Sequence, residues 1–248
     1  MEEIRRDAPV PLYYQLYDIL LRRITDGTYA PGDQIPTELE LSRRYQVSRV
    51  TVKQAIQRLA TEGHLYRVQG KGTFVAKPRI PRWLKQVQSF IEEMSAKGMV
   101  VETVALDVGL HPCDRQVAEA LKLEVGEPVN RIKRLRKVDG DPVALQTSYV
   151  PDRLCPGLAQ LPEIRSGSLY AAMERNYGRR PVHAYETYEV KVATDPERVK
   201  LLDIEPGAPY LAVTRISHLE NGTPVEWATS SLRGDRYKLE VELGAELS

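Results

Sequence analysis

Glu38–Val75 reads ELELSRRYQVSRVTVKQAIQRLATEGHLYRVQGKGTFV. Thr37 stands just before it, with Glu40 three residues on, the pattern of a capping box that starts a helix. Leu39, Leu41 and Tyr45 supply its apolar positions. Gln46-Val47 is a short link, and Ser48 is a natural cap for the next helix. In that helix Val52, Ala55, Ile56 and Leu59 recur at helical spacing and face a core. Gly63 stops it, and Tyr66–Val75 forms two short strands turning at Gly70-Lys71-Gly72. Upstream, Leu12, Leu16, Ile19, Leu20 and Ile24 line one side of a helix over 12–26. Three helices followed by a basic hairpin make a winged helix-turn-helix.

Charge agrees with that reading. The chain of 248 residues has a formal charge of +1. Residues 1–77 carry 12 Lys/Arg and 9 Asp/Glu, whereas 78–248 carry 23 and 25. Between 41 and 77 there are 8 basic residues and one acid, Glu62. A local basic excess is the electrostatic footprint of a nucleic-acid partner. In a helix-turn-helix the recognition helix enters the major groove by its N-terminal residues. The candidate DNA-binding residues are therefore Ser48, Arg49, Val50, Thr51, Lys53 and Gln54, with Arg67, Gln69, Gly70, Lys71 and Gly72 of the wing. Arg49 has the two donors that match guanine O6 and N7. Val50 suits a thymine methyl, and Lys53 and Ser48 suit phosphates. A twofold protein reads inverted-repeat half-sites, so a homodimer on double-stranded operator DNA is expected.

The length allows a second core. Residues 1–77 are read as the DNA-binding domain, 78–88 as a linker rich in proline and polar residues, and 89–248 as a second domain. That domain opens with a helix of about a dozen residues ending at Gly98. Strands follow at 100–109, 128–138, 142–150, 182–193, 208–219 and 224–232, with helices at 114–122, 168–176 and 195–202. Asp139-Gly140 and Asn221-Gly222 mark hairpin turns. The fold class is α+β, with a mostly antiparallel sheet rather than a dinucleotide-binding βαβ series. Residues 118–149 echo 199–231: Leu121, Gly126, Pro128 and Arg134 match Leu202, Gly207, Pro209 and Arg215, and Gly140, Pro142, Thr147 and Ser148 match Gly222, Pro224, Thr229 and Ser230. Two such halves packed about a pseudo-twofold axis leave a cleft between them.

Arg134 and Arg136 are two apart on one strand and so share a face. Two guanidiniums on one face repel unless an anion or acidic side chains sit between them, and a carboxylate or phosphate can be gripped by both. Ser89 and Ser168 each precede a helix, where free backbone N–H groups favour negative charge. Glu226 can accept hydrogen bonds from a ligand, and Phe90, Tyr149, Tyr170, Tyr188 and Tyr237 can wall the site. These ten residues are the candidate effector site, and the expected effector is a small anion.

The order of motifs in the first domain resembles the winged-helix domain of the GntR family of bacterial transcription regulators. Pro36-Thr37-Glu38, Val47-Ser48-Arg49-Val50-Thr51-Val52 and Gln69-Gly70-Lys71-Gly72-Thr73-Phe74-Val75 carry the likeness. Leu39 stands where many members have arginine. Residues 89–240 resemble the UTRA effector domain of the HutC-type branch, whose fold is similar to chorismate lyase. Ser89-Phe90, Arg134-Leu135-Arg136, Asp139-Gly140-Asp141-Pro142, Ser168-Leu169-Tyr170 and Gly234-Asp235-Arg236-Tyr237 carry that likeness. It implies a ligand-responsive repressor, an effector such as a sugar phosphate or organic acid, and roles for Ser89, Phe90, Arg134, Arg136, Ser168, Tyr170 and Glu226. Many relatives have an acid where Gln146 stands.

Two other classes make different demands. An enzyme of chorismate-lyase-like fold needs a catalytic constellation, yet His111, His183 and His218 lie in separate segments and form no HxH or HExxH. A DNA-binding regulator without a small ligand needs no cleft. Cys113 and Cys155 form no CxxC, so neither a disulfide framework nor a metal site is expected, and no cofactor is. The absence of a long apolar run or signal core points to a cytoplasmic protein with no membrane association.

Overall fold

A computed structural model describes residues 4–84 and 86–242. The chain divides into two compact units, Met1–Ile80 and Pro81–Ser248.

The first unit contains α1 (Leu12–Thr25), α2 (Glu38–Tyr45), α3 (Arg49–Thr61), β1 (Leu65–Val68) and β2 (Gly72–Val75). Thr37 and Glu40 form the reciprocal capping box at α2. Gln46 adopts φ 52°, a left-handed stop that turns the chain tightly into α3. Ser48 caps α3 by accepting from the Thr51 amide. Leu16, Leu20, Ile35, Leu41, Val52, Ile56, Leu59, Leu65 and Val75 make one core. It gathers the apolar side of every element and leaves the start of α3 in solvent.

The second unit is built on a six-stranded antiparallel sheet. Its strands are β4 (Val101–Pro112), β5 (Pro128–Val138), β6 (Asp141–Pro151), β7 (His183–Val192), β8 (Pro209–His218) and β9 (Pro224–Arg233), in the order β4-β5-β6-β9-β8-β7. One face carries α5 (Arg115–Leu121) and α7 (Pro196–Leu202), through Val117, Leu121, Val129 and Trp227 and through Leu135, Leu145 and Leu202. The other face carries α4 (Phe90–Ser95), α6 (Leu169–Tyr177) and two short 3-10 turns, with Ile132, Val150, Leu158, Ile164 and Met173 in its core.

The duplication is visible in the backbone. Each half runs α-β-α-β-β, and the strand order is palindromic about the β6–β9 seam. At that seam Thr147 pairs with its own repeat mate, Thr229. Asp114 and Asp195 cap α5 and α7, while Lys122 and Asp203 end them at φ 54° and 51°.

Two expectations change. The helix after Ser89 has 6 residues and ends at Ser95, followed by a turn through Gly98. The segment 78–88 is not a plain linker, because β3 (Ile80–Trp83) lies inside it. The unit boundary falls within that strand, which pairs with β10 (Tyr237–Glu240).

Candidate functional site

In the first unit Ser48, Arg49, Val50, Lys53 and Gln54 are exposed along the start of α3, and Thr51 is half-buried, its hydroxyl 2.8 Å from that of Ser48. Core packing through Val52, Ala55 and Ile56 fixes the opposite side of the helix. Val50 is 66% exposed and Leu39 44%, so two apolar side chains stand in water near the two helix starts. The wing is braced rather than free. Gln34 donates to the Lys71 carbonyl at 2.9 Å and lies where a Cβ on Gly72 would sit, at 2.4 Å. With φ 135° as well, position 72 requires glycine. Lys71, Gln69 and Gly70 are exposed, while Arg67 reaches Glu38 at 3.5 Å. Sequence reading missed Gln34, since nothing in its local pattern marks a brace 37 residues away.

In the second unit α4, α6, β5 and β9 bring the candidate residues to one face of the sheet. Ser89 caps α4 and Ser168 caps α6. Their hydroxyl oxygens are 3.0 Å apart. Arg134 and Arg136 are each 1% exposed. Arg134 donates to the carbonyls of Ile164 and Gly167, both at 3.2 Å. Arg136 donates to the Thr103 hydroxyl at 2.7 Å and to Gln146 at 3.3 Å, and lies 5.3 Å over the Phe90 ring. Among the described residues neither guanidinium has a carboxylate within ion-pair distance, and both Nε–H groups lack an acceptor. Burial lowers the Arg134 pKa to about 10, with Glu226 opposing. Burial, and then Arg134 itself, lowers that of Arg136. Charge held in a dry interior without a counter-ion is unfavourable. This corner of the fold is short of negative charge.

Glu226 sits nearby, 2% exposed, and is hydrogen-bonded at both oxygens. It accepts from Ser148 at 2.7 Å, Tyr170 at 2.6 Å and Ser217 at 3.0 Å. Burial, and then the Glu226 charge, raises the Tyr170 pKa and keeps the phenol protonated. Tyr237 is buried, its hydroxyl has no partner among the described residues, and burial raises its pKa. Tyr149 is a correction. It stacks on Trp227 at 5.4 Å, on the face covered by α5. It is one residue out of phase with Ser148, and successive strand residues point to opposite faces.

The accessible opening lies beside the arginine pair. A cleft of about 710 Å³ is lined by Arg82, Gln88, Glu93, Arg180, His183, Glu186, Tyr188 and Arg215 among others. It continues into a narrow pocket of about 30 Å³ bounded by Phe90, Gln146 and Arg215. Its floor is an ion network. Glu186 accepts from Arg215 at 2.5 Å and from Arg82 at 2.9 Å, and it also bonds the Tyr188 hydroxyl. Burial opposes the Glu186 charge, yet Arg82 and Arg215 still hold its pKa below the ordinary carboxylate value. Arg215 also donates to the Gln88 carbonyl at 3.0 Å and to Tyr170 at 3.2 Å. Sequence reading found Tyr188 but missed Arg82 and Glu186. Glu186 was findable, two residues before Tyr188 on one strand face.

Comparisons with known proteins identify both units. Residues 12–75 match the model described as "Bacterial regulatory proteins, gntR family", and residues 96–238 match the UTRA domain. The chain belongs to the GntR family, in its UTRA-domain branch. This GntR regulator is 35% identical over 235 residues to the HTH-type transcriptional repressor NagR of Bacillus subtilis, covering 94% of this chain and 95% of that one. It is 29% identical over 228 residues to the mannosyl-D-glycerate transport/metabolism system repressor MngR of Escherichia coli, covering 92% and 94%. The crystal structure of PhnF from Mycobacterium smegmatis superposes with a TM-score of 0.67 at 29% identity, covering 92% of this chain and 99% of that one. The winged-helix and UTRA expectations are therefore met, and the protein is a transcription regulator rather than an enzyme. Among the described residues no group of three His, Cys, Asp or Glu side chains is placed to hold a metal, and no helix is long and apolar enough to cross a membrane.

Proposed function

We propose that this GntR regulator is a cytoplasmic repressor that binds an inverted-repeat operator as a homodimer and leaves it when a small anion enters the second unit. The observation that carries the reading is the pair of buried guanidiniums, Arg134 and Arg136, without a carboxylate partner among the described residues. A phosphate or carboxylate between them and the facing hydroxyls of Ser89 and Ser168 supplies the missing charge. To receive it, the contact between the two serines opens and Phe90 leaves its place over Arg136. The hydroxyl, amide or amino part of the same molecule then lies in the cleft beside Glu186, Tyr188 and Arg215. A cleft of about 710 Å³ suits a ligand of small-metabolite size. The relatives NagR and MngR are repressors, which points the same way.

Release follows from where the cleft wall comes from. Arg82 lies on β3, directly after the unit boundary, and its guanidinium is bound to Glu186 on the cleft floor. A ligand that takes hydrogen bonds from Glu186 or Arg215 competes with Arg82, and so loosens the segment that follows the DNA-binding unit. Each tenfold loss of operator affinity needs a ligand preference of ~1.4 kcal/mol between the two arrangements.

The test has two stages. Selection from a random duplex pool gives the operator, and fluorescence anisotropy on it is followed while phosphorylated sugars, organic acids and uncharged sugars are added. Release by members of the anionic classes, lost on Arg136→Ala with operator binding intact, is the expected result. Release by neutral compounds alone, unchanged in Arg136→Ala, refutes the anion-controlled reading.

A further inference from the structure

The two edges of the six-stranded sheet are not alike. β4 carries a bulge between Ala105 and Asp107, which twists an edge and blunts it. β7 has no such device. It pairs with β8 without a register shift over His183–Val192, contains no proline, and ends the sheet. Its end is apolar and in water, with Val190 77% and Val192 58% exposed. A long regular edge with exposed valines invites a further strand, and soluble proteins usually cover one.

The sequence of that edge is self-complementary. In an antiparallel pair centred on Val190, each Val190 faces the other. Glu189 then faces the second copy's Lys191, and Lys191 the second copy's Glu189. Tyr188 faces the second copy's Val192. One twofold axis thus gives two opposite-charge pairs and three apolar ones, all of the kinds that stabilise cross-strand neighbours. Glu189 and Lys191 already lean together at 3.0 Å within one strand, so both lie on the same face. Centring on Glu189 instead opposes two carboxylates.

We propose that β7 is the homodimer edge, joined antiparallel to β7 of a second copy with Val190 on the twofold axis. The inference rests on the regulator being a homodimer and names the surface. It gives a twelve-stranded sheet across the pair. The cleft side chains Glu186 and Tyr188 lie on the same strand, so the dimer seam and the cleft wall share one element.

Cysteine placement tests it. Directly opposed residues on antiparallel strands have Cα atoms ~4.5–5.5 Å apart, within disulfide reach. The native Cys113 and Cys155 are both buried and act as spectators. The full-length Val190→Cys variant, mildly oxidised, should run as a covalent dimer, whereas Val182→Cys should not. Glu189→Lys should weaken dimerisation about tenfold in sedimentation equilibrium, and Glu189→Lys with Lys191→Glu should restore it. A dimeric wild type whose Val190→Cys form does not cross-link, or whose Glu189→Lys form dimerises unchanged, overturns the inference and leaves the operator-binding reading intact. A wild type that sediments as a monomer at operator-binding concentrations overturns it as well. Failure to bind any duplex overturns the operator-binding reading alone, because cross-linking and sedimentation judge the edge without DNA.

Discussion

Replacing Arg134 by methionine separates a guanidinium kept for a ligand from one kept for the fold. Burial lowers its pKa from the ordinary 12.5 to about 10. At ~1.4 kcal/mol per tenfold change in proton affinity, holding the charge there costs about 3 kcal/mol relative to water. Against this stand two hydrogen bonds, to the Ile164 and Gly167 carbonyls. Bonds from a charged donor contribute about 1.5–3 kcal/mol each. The balance runs from about zero to about 3 kcal/mol in favour of the arginine, so Arg134→Met should lose no more than about 3 kcal/mol. Removing one partner of a buried ion pair instead destabilises by about 3–5 kcal/mol. The assay is urea unfolding followed by tryptophan fluorescence, with and without inorganic phosphate or sulfate. Wild type should gain stability as RT ln(1 + [L]/Kd), about 3 kcal/mol at a hundred times Kd. The variant should gain none. A loss above 3 kcal/mol with the anion response preserved would show that Arg134 is structural and refute the reasoning.

Three further outcomes are expected. Arg49→Ala should relax selection at one base pair by about 1–3 kcal/mol, read by competition between operator variants, and leave anion-dependent stabilisation untouched. Leu39→Arg should add a phosphate contact and steepen the plot of log affinity against log salt by about one; an unchanged slope would place position 39 away from the backbone. Glu186 titrates below the ordinary carboxylate value because Arg82 and Arg215 overcome its burial. Its folded pKa is depressed, so its stabilisation is complete above the unfolded value of ~4.3 and is lost as pH falls through the folded one. Urea midpoints of wild type and Glu186→Gln should therefore differ at pH 7 and converge towards pH 3; a constant gap would exclude the ion network.

The winged helix was legible because its signals are local. The Thr37–Glu40 box, the Ser48 cap and the Val52–Leu59 spacing each act within one or two turns. Repeat offsets foretold the pseudo-twofold, for they record glycines and prolines whose turns both halves need. The cleft was half legible. Arginines two apart on a strand announce a shared face, but the face of Tyr149 depends on register across three strands. Nothing short-range ties Arg82 to Glu186, 104 positions away. The helix after Ser89 is shorter than expected because beyond Ser95 the chain tightens into turn bonds, from Lys97 to Met94 and from Gly98 to Ser95.

The paired threonines at the seam have one more implication. Around them the two halves repeat in backbone but differ in chemistry: Arg136 corresponds to Ser217, and Ala144 to Glu226. The arginine of the first half recurs as Arg215, but in the second half Glu186 binds it and Glu226 stands near, so the frame is doubled in shape and not in charge. The two ends of the space around the seam are therefore not interchangeable.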